Sequence, residues 1–240
     1  MAQSFQLAEP LMFSDRVFFY ENCSVELVFE MDGSEVRYTL DGSEPTLESK
    51  RYTHPIKLKK TTRVKARCFH PDFLPSEIAE LHVFKSQQIA TCNLITWNDP
   101  DPAYEAPMEA LVDRKKGDMN LKSGAWLGFR QEDFVSEWGF RQPPRAKYLL
   151  VGSMVNTASW IFPPQRIELT CIDERWKPFQ LGVLAPDELE NALPVYQIPL
   201  IPSNCTKMRL TIEHYGMLPE DHPGAGSRAW LFIDEIGLGW

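Results

Sequence analysis

The sequence predicts an all-β protein made of β-sandwiches, and three observations carry that expectation. Helical periodicity is almost absent from the 240 residues. The one candidate, 187–192 after Pro186, is too short to organise a fold. Short apolar or alternating runs recur along the whole chain instead, and nineteen prolines and thirteen glycines punctuate them, as the turns between many short strands require.

The runs fall, in order, at 24–29, 35–40, 62–69 and 78–84, then at 125–129, 134–140, 147–155, 166–171, 179–184, 207–214 and 228–238. In the second, Val36, Tyr38 and Leu40 alternate with Arg37 and Thr39, the pattern of a half-buried strand. Asp41-Gly42 then turns the chain, because glycine accepts a positive φ. In the third, Val64, Ala66 and Cys68 share one face while Arg63, Lys65 and Arg67 share the other, so the basic run reads as a solvated strand face. Along 207–214, His214 has the parity of Met208, Leu210 and Ile212 and is expected inward, with Arg209 and Glu213 on the solvated side. Residues 229–236 are apolar on both parities, which places Trp230 in a core.

After the strand ending at Phe84 the chain turns polar at Lys85-Ser-Gln-Gln, which suggests units of 1–86 and 87–240. The first has the length of an immunoglobulin-like sandwich and the second that of a jelly roll.

With 33 acidic and 25 basic residues the net charge is −8, the wrong sign for a protein that grips nucleic acid or anionic membrane. No apolar run approaches the roughly 18–20 residues that span a bilayer, and no signal peptide is visible at the N-terminus. The five cysteines form no CxxC pair and are expected as buried reduced thiols, with a single disulfide left open. HExxH, phosphate-cradling glycine loops and the GxSxG elbow are all missing from the sequence. Asp234-Glu235 resembles an acid pair, but neighbouring strand residues point to opposite faces and could not converge on one glycosidic bond without a special bend. The expectation is a chain with no catalytic activity of its own.

Val36-Arg-Tyr-Thr-Leu-Asp-Gly-Ser-Glu-Pro-Thr, with Arg51-Tyr-Thr-His-Pro-Ile and Thr61-Thr-Arg-Val-Lys-Ala-Arg, resembles the chitobiase/β-hexosaminidase C-terminal domain, a fibronectin-III-like accessory module, over about 9–84. Ala110-Leu-Val-Asp-Arg-Lys-Lys-Gly, Gly124-Ala-Trp-Leu-Gly-Phe, Ser159-Trp-Ile-Phe-Pro-Pro and the stretch from His222 to Ile236 are similar to the discoidin-like, galactose-binding-type jelly roll. Together these likenesses imply non-catalytic accessory modules of a bacterial glycan-processing protein. They imply a glycan or glycoconjugate as partner, a glycosidase domain in company, and a periplasmic, cell-surface or extracellular location. A structural spacer or protein-docking module is the alternative, and an unrecognised glycoside hydrolase a more distant one. The second likeness also implies a structural Ca²⁺ held by Asp113 and Glu235, with Asp118 in reserve, since Ca²⁺ takes hard oxygen ligands. The sequence departs from that family where Arg114 follows Asp113, a position at which relatives usually carry glycine.

For a glycan, the residues themselves nominate the loop end of the second unit. Trp126 and Trp160 border turns and are open to either core or stacking roles. His222 and Arg228 lie in or beside a loop that no packing pattern explains, and would serve as hydrogen-bonding groups.

Overall fold

The computed structural model describes residues 5–87, 92–186 and 193–240; the short helix expected at 187–192 lies outside them. The chain divides into two compact units, Met1–Lys85 and Ser86–Trp240. Both are built from antiparallel sheets, so the all-β expectation holds.

In the first unit, β1 (Leu11–Ser14), β3 (Cys23–Val28) and β6 (Ile56–Leu58) form one sheet in the order β1-β3-β6. A second sheet pairs β4 (Glu35–Thr39) with β5 (Lys50–Arg51) and with β7 (Thr62–Phe69), which in turn pairs with β8 (Ala79–Gln87). The two-residue β2 (Phe18–Phe19) runs parallel to β8. Alternation explains the core. Val64, Ala66 and Cys68 of β7 are fully buried against Val25, Leu27, Val36 and Tyr38, while Arg63 on the other face pairs with Glu80 at 2.9 Å. Leu40, counted inward by alternation, is exposed where the Asp41-Gly42 turn begins. Gly42 has φ +87° there, and Asp41 Oδ1 accepts from the Ser43 hydroxyl at 2.6 Å.

The second unit has a five-stranded sheet ordered β14 (Phe179–Leu184), β13 (Arg166–Cys171), β16 (Lys207–Glu213), β11 (Phe134–Phe140) and β9 (Cys92–Trp97). Its companion contains β15 (Val195–Pro199), β12 (Tyr148–Ser153) and β17 (Leu231–Gly239), with β10 (Leu127–Phe129) also on β17. Phe134, Trp138, Ile167, Leu169, Leu210 and Ile212 of the first sheet meet Leu149, Val151, Leu231 and Ile233 of the second in one core. Burial of this apolar area is what holds the sheets face to face.

The cysteines correct one expectation. Cys23 and Cys68 are buried thiols, and burial pushes them up to about 11 and about 12. Cys171 and Cys205, however, form a disulfide, with Cα atoms 6.0 Å apart and a separation of 34 positions in sequence. It ties the end of β13 to the segment entering β16.

Strand β17 carries the other local feature that matters. All nine of its residues are buried, and its register with β12 shifts, so that Gly152 faces Glu235 while Ser153 faces Ile233. Asp234 is the extra residue of a β-bulge.

Candidate functional site

Two polar clusters in the second unit collect the residues singled out by sequence. The first surrounds the bulge. Because Asp234 is the inserted residue, it and Glu235 both engage the segment 114–117, although adjacent strand residues ordinarily diverge. The Arg114 N–H donates to Glu235 Oε2 at 2.7 Å. Asp234 Oδ2 accepts from Gly117 N–H at 2.6 Å and from Lys116 Nζ at 2.8 Å. The same ammonium donates to Ser153 O at 3.0 Å and lies 4.8 Å from the centre of the Trp126 ring. Gly117 is required, since a Cβ there would fall 2.5 Å from the indole of Trp126. The special bend that convergence of these two carboxyls requires is therefore present, but Asp234 and Glu235 are 0 % and 1 % exposed.

Burial dominates the electrostatics. It pushes the Glu235 carboxyl up to about 9, helped by the charges of Asp113 and Asp234 and opposed by the Arg114 N–H. In the Lys116–Asp234 pair burial outweighs mutual attraction, lowering the ammonium and raising the carboxyl. Arg114 adopts φ +66°, the left-handed conformation that glycine tolerates best.

The expected calcium does not fit these residues as placed. Asp113 Oδ1 accepts from the Lys115 N–H at 2.8 Å and its other oxygen is 3.4 Å from Lys115 Nζ. Asp118 Oδ1 caps Asn120 N–H at 2.9 Å. Among the described residues no three His, Cys, Asp or Glu side chains converge on one point. Ca²⁺ requires six to eight oxygens, whereas N–H groups and an ammonium hold Glu235 Oε2 and Asp234 Oδ2, and Asp234 Oδ1 is the one carboxylate oxygen of the cluster left buried without a partner among the described residues. Lys116 supplies the positive charge of this cluster.

The second cluster lies at the loop end. Trp126, offered as a stacking platform, is instead core: it is 1 % exposed and its Nε1 donates to Asp118 O at 2.9 Å. His222, offered as a hydrogen-bonding group for a ligand, has both ring nitrogens engaged internally. Its Nδ1 accepts from Gly224 N–H at 3.0 Å, and Nε2 lies 3.0 Å from Thr157 O, so it fastens its own loop. Gly224 in that loop packs on Trp160, where a Cβ would come within 2.8 Å.

Trp160 and Arg228 do belong to one exposed group, together with residues the sequence reading did not nominate. Trp160, at φ +64°, and Trp230 are both half-buried, the latter having been expected in the core. The Arg130 guanidinium lies over both rings, 5.6 Å from the centre of Trp160 and 5.2 Å from that of Trp230. Arg130 Nε donates to Arg228 O at 3.3 Å. Arg228, exposed, donates from Nη1 to Gln131 O at 2.9 Å, and the same nitrogen is 2.7 Å from His214 Nε2. His214 is half-buried, with Nδ1 accepting from Gly216 N–H at 2.8 Å. Nothing local marks Arg130; its indole neighbours are 30 and 100 positions away in sequence.

A third feature was also missed. Trp176, 41 % exposed, and Phe179, 38 % exposed, pack edge to face beside the disulfide-tied segment, with the Arg175 guanidinium 4.5 Å over the indole. Its signal in the sequence is an aromatic in a charged loop between two strands.

Comparison with known proteins gives a family-model match, described as Fn3 associated, to residues 25–82 within the first unit. No curated protein matches the chain. Among solved structures, the C-terminal domain of a chitobiase from Bacteroides fragilis is similar at 12 % identity and a TM-score of 0.37, covering 64 % of this chain and 95 % of that one. A CBM32 module of a family 31 glycoside hydrolase from Clostridium perfringens is similar at 11 % identity and 0.39, covering 65 % and 95 %. A SusE-like protein is similar at 10 % identity and 0.37 over 97 % of each chain. At these scores the likenesses assign no function.

Proposed function

We propose that this chain is a non-catalytic, glycan-binding accessory piece of a glycan-processing protein, with recognition at the loop end of its second unit. The observation that carries the reading is the cluster of Arg130, Trp160, Trp230, Arg228 and His214, which joins indole surface to donors that still have open valences. A pyranose offers the complement, an apolar ring edged with hydroxyls. Burial of Asp234 and Glu235 supports the absence of catalysis, since a glycosidase needs both carboxyls at the scissile bond.

The Cys171–Cys205 disulfide favours an oxidising compartment, the periplasm or cell exterior. A catalytic glycosidase domain is the partner that fits such a role.

Titrating the chain with galactose, N-acetylglucosamine and acidic and neutral oligosaccharides tests the proposal. Binding on the order of a millimolar to tens of micromolar, about 4–6 kcal/mol, that Arg228→Ala weakens tenfold or more is expected. No binding by any glycan would leave a structural spacer or docking module.

A further inference from the structure

We infer that the loop-end site selects anionic saccharides, placing a carboxylate or sulfate group against the guanidinium forks of Arg130 and Arg228. The inference rests on the glycan-binding reading above and goes beyond it to the class of sugar.

Three features of the cluster point this way. First, the Arg130 guanidinium lies over both Trp160 and Trp230, so a sugar that reaches this indole surface meets a cation beside it. What the site presents to solvent is therefore cationic donors braced by aromatic walls. A guanidinium stacked on an indole keeps its in-plane N–H groups free. Among the described residues only Nε of Arg130 has a protein acceptor, Arg228 O.

Second, neither arginine has a carboxylate. Arg37, Arg51, Arg63, Arg166, Arg175 and Arg209 all form ion pairs. Arg130 and Arg228, like Arg16, Arg67, Arg114, Arg141 and Arg145, form none among the described residues, but these two alone stand in one cluster, Arg130 Nε donating to Arg228 O at 3.3 Å, on a chain where acids outnumber bases by 33 to 25. The nearby Asp133 pairs with neither, its Oδ1 accepting from the His214 N–H at 2.9 Å. Arginine's planar fork matches the two oxygens of a carboxylate or sulfate.

Third, the Arg228 fork is held in place: Nη1 donates to Gln131 O at 2.9 Å and lies 2.7 Å from His214 Nε2, and a positioned guanidinium is what bidentate recognition of an anion requires.

The chain's net charge of −8 repels anions at long range, so any preference for acidic sugars has to arise locally. Calorimetric titration of the full chain compares tri-galacturonate, a sulfated galactose oligomer and neutral galactotriose at low and moderate salt. The two anionic arms distinguish carboxylate from sulfate as the preferred group. At least one should bind tenfold or more tighter than the neutral trimer and weaken with salt. Arg130→Gln and Arg228→Gln should each remove that preference. Arg228→Lys, which keeps the charge and loses the fork, should restore only part of it. The exposed Arg228 variants keep the test open if Arg130→Gln fails to fold.

Equal binding of neutral and anionic trimers would overturn the selectivity and leave the glycan-binding reading standing. Anionic preference unchanged in both arginine variants would overturn it likewise. No binding in any arm would remove both.

Discussion

Lys116 Nζ lies 2.8 Å from Asp234 Oδ2, with the lysine side chain 9 % exposed and the aspartate fully enclosed. The second unit thus carries an internal cation beside its bulged strand β17.

Removing that cation exposes its value. Lys116→Met leaves a buried carboxylate without its partner and is expected to destabilise by about 3–5 kcal/mol. Lys116→Met with Asp234→Asn should recover a large part of the loss, because no unpaired charge remains. Urea denaturation of the parent and both variants measures this. Addition of EDTA should leave the parent's midpoint unmoved.

Glu235 gives stability a pH dependence of defined sign. Its carboxyl is raised from 4.5 to about 9 in the folded chain, so between those values the native state holds a proton that the unfolded chain has released. Stability from this group is complete below pH 4.5 and is lost as pH rises toward 9. The denaturation midpoint should therefore fall between pH 5.5 and 8.5, and Glu235→Gln should flatten that slope. A steeper slope in the variant would refute the assignment.

The disulfide should matter to folding stability. Replacing Cys171 and Cys205 with serine, or reducing the bond, is expected to cost about 2–5 kcal/mol by freeing the intervening segment in the unfolded chain. Thermal melting with and without reductant detects it. An unchanged melt after verified reduction would show that the segment is held by other contacts.

Arg114 is the strained residue of its loop, at φ +66°. A left-handed conformation costs a non-glycine residue about 1–2 kcal/mol, and glycine pays back part of that through its freer unfolded chain. Arg114→Gly should leave stability unchanged or raise it by up to about 1 kcal/mol. A clear loss would mean that the arginine side chain contributes a contact beyond the backbone N–H it gives to Glu235.

Much of the fold was legible because period-two alternation is a local signal. The run at 166–171 is strand β13 residue for residue, and 134–140 is β11. What escaped depends on distant partners. Lys50–Arg51 is two charged residues that become a strand only by pairing with Arg37 and Tyr38. The bulge at Asp234 follows from register with β12, and no residue type in β17 signals it. The site divides the same way. Arg228 could be nominated from its loop, whereas for Trp126 the sequence favours core over rim only modestly, and the packing of Gly117 and Lys116 against it places it in the core. Arg130 is visible only once Trp160 and Trp230 are brought against it.

A crystal of the chain soaked with a mixture of neutral and anionic oligosaccharides tests glycan binding most directly. Sugar density is expected at the loop end of the second unit, in contact with Arg130 and Arg228. Density on the exposed Trp176–Phe179 pair, or on the first unit, with none at those arginines would contradict it.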